Sequence, residues 1–177
     1  MLVLEALDHA LARGAQPLAE VLGYGVSADA SFLVAPSEDG EGAARAMEAA
    51  LEDAGIAADD VDYVSAHATA TDIGDVTETR ALRRVLGKRA DRVPVSAMKS
   101  QIGHLLGGSG GVEAVAAVQT IRTGRIAPTI NLDHPDPECD LDYVPLEARA
   151  CEVRTVLKNS FGFGGQNAVL VLRAYEG

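Results

Sequence analysis

The chain has 177 residues, 47% of them hydrophobic, and a formal net charge of −11. That length supports one domain with a sizeable core. The shortage of cations excludes general affinity for nucleic acid or an acidic membrane surface, whose phosphates would go unneutralised. No apolar run is long enough to span a bilayer, and the opening MLVLEALDHALARG lacks the basic flank of a signal peptide. Two cysteines in this length read as free thiols of a reducing compartment, so a soluble cytoplasmic protein is expected.

In chain order, LVLE and VLGYGV read as short strands, and between them LEALDHALARG sets Leu4, Leu7 and Leu11 at helical spacing before Gly14. Residues 40–54 line Ala43, Met47, Ala50, Leu51 and Ala54 along one helical face, with Gly55 as the stop. VDYVSAH is a strand that delivers His67. A helix over about 75–86 then buries Val76, Leu82, Val85 and Leu86, and RVPVSA is the next strand, followed by His104 and its glycines. The helix GVEAVAAVQTIRTG is apolar nearly all round and so must be covered on several sides. LDYVP, VRTVLKNSFGF and NAVLVLRAY complete the β-rich segments. The pattern is α/β, a mixed sheet with helices on both faces.

Three separated stretches carry the chemistry: YVSAHATATDIGDVTE around His67, VSAMKSQIGHLLGGSGGVE around His104, and NSFGFGGQN at 159–167. A lone histidine is weak evidence, a lysine and a glutamate nearby read equally as a surface ion pair, and a glycine-rich stretch before a strand reads as a turn. Together and in this order, the stretches resemble the C-terminal half of a β-ketoacyl-acyl carrier protein synthase, a type II elongating ketosynthase of the thiolase-like superfamily. The resemblance implies half of a five-layered αβαβα thiolase-like fold. Residues 1–16 then end the N-terminal ketosynthase half, with MLVLE as its last strand, and residues 17–177 form the C-terminal domain.

The same resemblance implies an acyltransferase of fatty acid elongation, which condenses an acyl thioester with malonyl-acyl carrier protein as carbon dioxide leaves. His67 and His104 would flank the malonyl thioester carbonyl and donate N–H groups to the oxygen that gains charge. Lys99, five positions before His104, and Glu113, nine after it, match family residues that orient the pair. Thr69 and Thr71 resemble hydroxyls that bind the phosphopantetheine arm, although threonines at alternate positions also suit ordinary loop or strand packing. The backbone N–H of Phe163 would complete the acyl oxyanion hole, its ring would gate the acyl pocket, and a monovalent cation is expected near Glu113, Asn159 and Ser160.

The implied partners are the acyl carrier protein, which brings the phosphopantetheine, the N-terminal half, and a second copy in a homodimer. No cofactor is required in this chain. The family's nucleophilic cysteine lies in the N-terminal half, and this sequence begins after it, so a chain inactive alone is expected. Cys139, in the acidic loop HPDPECDLDYVP, does not replace it, because carboxylates raise a thiol pKa, and Cys151 lies beside no histidine or glycine motif. His9 and His134 read as solvated or locally bonded. Ala68 stands where glycine is commoner in the family, Gln166 where threonine or histidine is, Ser65 at a common asparagine position and Ile102 at a common threonine or serine position. The alternatives left open are a noncatalytic ketosynthase-like scaffold and part of a polyketide ketosynthase.

Overall fold

The computed structural model describes residues 1–177. Its elements are α1 (Leu7–Ala12), β1 (Glu20–Ala28), α2 (Glu41–Ala54), β2 (Tyr63–Ser65), α3 (Asp72–Leu86), β3 (Val95–Ser96), α4 (Lys99–Ile102), α5 (Ser109–Thr123), β4 (Arg125–Ile126), β5 (Arg149–Ala150), β6 (Thr155–Gly162) and β7 (Gln166–Arg173). The main sheet has five strands in the order β1-β7-β6-β2-β3. The β1, β7 and β6 strands run antiparallel, whereas β6, β2 and β3 run parallel, so the sheet is mixed.

Strand parity divides the core. Val64, Leu157, Val169 and Val171 face α2 and α3, meeting Ala46, Met47, Ala50 and Leu82. Their neighbours Tyr63, Val156 and Leu172 face the other way and pack with Ala114 and Ala117 of α5. Helices therefore cover both faces, as the pattern of elements predicts.

Local chemistry sets the boundaries. Gly55 ends α2 in the left-handed region at φ +65°, its N–H meets Glu52 O, and the N–H of Ile56 reaches back to Leu51 O at 3.1 Å. Thr71 precedes α3, whose first turn carries Asp72 and Asp75 against the positive end of the helix, so it starts earlier than the expected 75. Two expected strands are absent. Leu141–Pro145 contributes only one bridge, Thr129 to Pro145, because Val144 at φ +48° breaks the extended run. LVLE, with no strand of this chain to pair it, lies outside regular structure, and only Leu7–Ala12 of the first expected helix is helical.

The glycines of GYG explain how α2 lies on β1. A Cβ on Gly25 would stand 2.0 Å from Ala46 O, and one on Gly23 would stand 2.4 Å from Ala50 O, so strand and helix backbones touch. Gly25→Val is expected to cost ~3 kcal/mol through overpacking, read as a fall in Tm of about 6–12 °C. Gly111→Ala, where a Cβ meets nothing within 4 Å inside α5, is the control and should raise Tm by about 2–4 °C.

On α5, the face turned to the sheet buries Ser109, Glu113, Ala114, Ala117 and Thr120, while Val112 is 41% exposed. A helix that reads as apolar all round thus hides its one acid and shows a valine to solvent. The same side of the sheet is bare where α5 does not reach. Tyr24 and Val26 of β1 pair with Leu170 and Ala168 of β7, in step with Leu172, and both β1 side chains are exposed.

Candidate functional site

The parallel strands β2 and β3 deliver the site at their carboxyl ends, the edge at which open α/β sheets present chemistry. His67 leaves β2 two residues after its end, and the loop that carries it is held from below by α3. The buried carboxylate of Glu78 accepts the N–H groups of His67 at 2.9 Å and Ala68 at 2.8 Å, and the Asn159 amide at 2.9 Å. Asp75 accepts the Ala70 N–H at 3.1 Å. Ala68 at φ +30° and Ala70 at φ +59° sit in the left-handed region, so the turn needs these carboxylates to hold its shape. Burial, and then the neighbouring Glu78, push the Asp75 carboxyl up to about 6.

Lys99, at the start of α4, is buried and spends its three donors locally. Its ammonium donates to His67 O at 2.6 Å and to Glu113 Oε1 at 2.5 Å, and stands 3.2 Å from His67 Nδ1. An ammonium has only donors, so His67 Nδ1 is the acceptor and the ring proton sits on Nε2. Burial first, followed by the charges of Lys99, His104 and Lys158, lowers the His67 pKa to about 3.

His104 is fixed in the same tautomer by different means. Its Nδ1 accepts the Leu106 N–H at 3.2 Å and faces the Ser109 hydroxyl at 3.0 Å, while Ser109 Oγ takes the Leu105 N–H at 2.8 Å. The two imidazoles lie 5.7 Å apart, nearly perpendicular at 85°, each with its Nε2–H free of protein partners. Two oriented neutral donors beside each other can stabilise an oxyanion that forms between them.

The structure gathers His67, His104, Lys99 and Glu113 into one contiguous unit. The Thr69 and Thr71 hydroxyls lie 3.3 Å apart on the exposed side of the His67 loop. A cleft of about 240 Å³ opens behind Thr71, lined by Asp75, Cys139 and Tyr143, and neither His67 nor His104 borders it. Burial, ahead of the nearby carboxylates, raises the Cys139 thiol pKa, which keeps it a poor nucleophile. Phe163 is 79% exposed at the β6–β7 turn, where Gly164 N–H donates to Leu33 O at 2.7 Å. The ring that meets His67 is Phe161, with centroids 5.5 Å apart. His9 is bonded locally to Glu5 at 2.9 Å, and both cysteines are free.

Of the residues expected around a monovalent cation, Ser160 lies beside Lys158 on the face of β6 turned to α5, and Asn159 lies on the other. Successive residues of β6 leave opposite faces, so Asn159 meets Glu78 of α3 while Glu113 of α5 meets Lys158. Lys158, buried against Glu113, is the charged neighbour of the site that the sequence pattern did not single out. Its signal was a lysine in the middle of TVLKNSFG, a strand otherwise reading as buried.

The Beta-ketoacyl synthase, C-terminal domain, model matches residues 18–133. The chain is 52% identical over 176 residues to 3-oxoacyl-[acyl-carrier-protein] synthase 2 of Synechocystis sp., covering 99% of this chain and 42% of that protein. It is 48% identical to the protein of the same name from Staphylococcus aureus, with the same coverage. The chain thus spans about two fifths of the length of these curated relatives. Among solved structures, a β-ketoacyl synthase from Burkholderia phymatum superposes with a TM-score of 0.91 at 42% identity, covering 97% of this chain and 41% of that one. A type II polyketide acyl-carrier protein in complex with its ketosynthase bound to the hexaketide gives 0.95 at 39% identity, covering 97% and 42%.

Proposed function

The chain belongs to the β-ketoacyl synthase family as its C-terminal domain, and from that membership we propose that it supplies the decarboxylating half of a 3-oxoacyl-[acyl-carrier-protein] synthase active site. The observation that carries the reading is the pair of imidazoles 5.7 Å apart, both with Nδ1 engaged and Nε2–H free. In a malonyl thioester, the bond from the α-carbon to the carboxylate breaks. Its electron pair moves into the enolate, whose charge gathers on the thioester oxygen, and carbon dioxide leaves. His67 and His104 donate to that oxygen and lower the barrier. The enolate carbon then attacks the carbonyl of an acyl group held as a thioester on a cysteine, and the cysteine thiolate leaves as the new bond forms. Lys99 and Glu113 act as positioning residues, fixing the His67 tautomer.

The cysteine comes from an N-terminal half packed against the apolar surface of Tyr24, Val26, Ala168, Leu170 and Val112, with a homodimer of such pairs as the full enzyme. Acyl carrier protein presents the substrate. Its phosphopantetheine arm runs past Thr69 and Thr71, and the Phe163 N–H serves the acyl oxyanion. The setting is cytoplasmic fatty acid elongation. A polyketide ketosynthase is the second reading, favoured by the polyketide complex among the structural neighbours.

The test combines the chain with the N-terminal half of a 3-oxoacyl-[acyl-carrier-protein] synthase 2 and follows the β-ketoacyl product by mass, with acyl- and malonyl-acyl carrier protein as substrates. Product is expected from the assembled pair and none from the chain alone. An assembled pair that makes no product, or a chain that condenses unaided, overturns the reading.

A further inference from the structure

One glutamate in this protein is held between two lysines, all three hidden from solvent. Glu113 is 0% exposed, Lys158 2% and Lys99 7%. Lys99 takes Glu113 Oε1 at 2.5 Å, and the Lys158 ammonium stands 2.9 Å from Oε2. That second contact lies off the hydrogen-bond line, so Oε2 has no directed donor and is stabilised by charge alone.

We propose that Lys158 is a tethered counter-cation. Its ammonium occupies the place that a monovalent metal ion would take at Glu113, so that this protein holds Glu113, Lys99 and His67 in register without sodium or potassium. Three observations carry the assignment. Strand parity aims Lys158 at α5, alongside Val156, and away from Asn159, whose amide serves Glu78 on the other face. Each oxygen of Glu113 already has a lysine ammonium within 2.9 Å, so a metal ion there would be repelled by two like charges. Beta pairing also fixes the lysine's origin, since Lys158 pairs with Ser65 of β2 and Leu170 of β7. A charge anchored in the middle of a sheet cannot dissociate when the salt is dilute, whereas a bound ion leaves by mass action.

Burial lowers the Lys158 pKa and the Glu113 carboxylate raises it, the balance expected of a charge kept only by its partner. Loss of that charge would strand Glu113 Oε2 in a dry interior, which is the costly way to break a buried pair.

The experiment measures Tm of the chain at fixed ionic strength with sodium, potassium or tetramethylammonium as the only cation. The wild-type chain is expected to give one Tm in all three. Lys158→Ser, which removes the ammonium and opens space, should lose about 10 °C in tetramethylammonium and recover part of it in sodium or potassium. Lys158→Met, which fills the space without charge, should lose stability and recover nothing.

A wild-type chain stabilised selectively by sodium or potassium overturns the proposal, and so does a Lys158→Met variant as stable as wild type. The wild-type comparison decides even if a variant fails to fold. Because the readout is stability and its ion dependence, the result stands apart from whether the proposed condensation is correct.

Discussion

His67→Ala and His104→Ala, made in the chain assembled with an N-terminal half, are each expected to lower condensation by about 10²–10³-fold. Each substitution removes one of two N–H donors aimed at the same developing charge. The loss falls on the rate more than on substrate binding, because the donor matters most when the oxygen is an anion. Gln at either position can present an amide N–H, so His104→Gln should retain more activity than His104→Ala. Acylation of the cysteine should be less affected, since the acyl oxyanion is assigned to other donors. Alanine variants that keep the far-ultraviolet spectrum and near wild-type rates would show that the imidazoles do not carry the chemistry.

Glu113→Ala is the second large effect, and it should appear as unfolding before it appears as lost activity. It leaves the Lys99 and Lys158 ammonium groups buried without their shared counter-charge. Breaking a buried pair in this way costs about 3–5 kcal/mol, a fall in Tm of about 6–20 °C for a chain of this size. The double variant Glu113→Leu/Lys158→Met, which removes one charge of each sign, should be more stable than Glu113→Leu alone. That coupling identifies charge, rather than lost packing volume, as the cause. A Glu113→Ala chain as stable as wild type, or a double variant no better than the single one, would contradict the arrangement.

Much of the site was legible because its residues lie in short motifs whose spacing survives in the fold. His67 and His104 meet as their stretches imply, and the Lys99–Glu113 pair forms within one helix-turn-helix segment. What escaped depends on contacts between distant segments. Lys158 meets Glu113 from a strand that follows α5 by a long connection, and periodicity assigns a face to a residue without naming its partner. Phe161 and Phe163 share one motif, and only the point at which β6 ends decides which of them packs on His67. The expected strand over LDYVP failed on a left-handed valine that no propensity scale anticipates, while Gly55 marked its helix end correctly because a left-handed stop is what glycine supplies. The GYG glycines read as part of a strand, but their necessity lies in α2, whose backbone leaves no room for a side chain.

The central claim is that both imidazoles are neutral Nε2–H donors held by groups on Nδ1. Long-range ¹H–¹⁵N correlation spectra of the chain with labelled histidine, followed as pH is lowered from neutrality, test it most directly. The expected result is a protonated Nε2 and bare Nδ1 at both His67 and His104, with His67 still neutral at about pH 5 because burial and Lys99 lower its pKa from the ordinary 6.5 to about 3. The sign of the linkage follows: the unfolded chain takes up the proton first, so the stability tied to neutral His67 is whole above pH 6.5 and is lost as pH falls toward 3. A His67 signal that becomes imidazolium near pH 6.5, or either ring carrying its proton on Nδ1, would contradict the account.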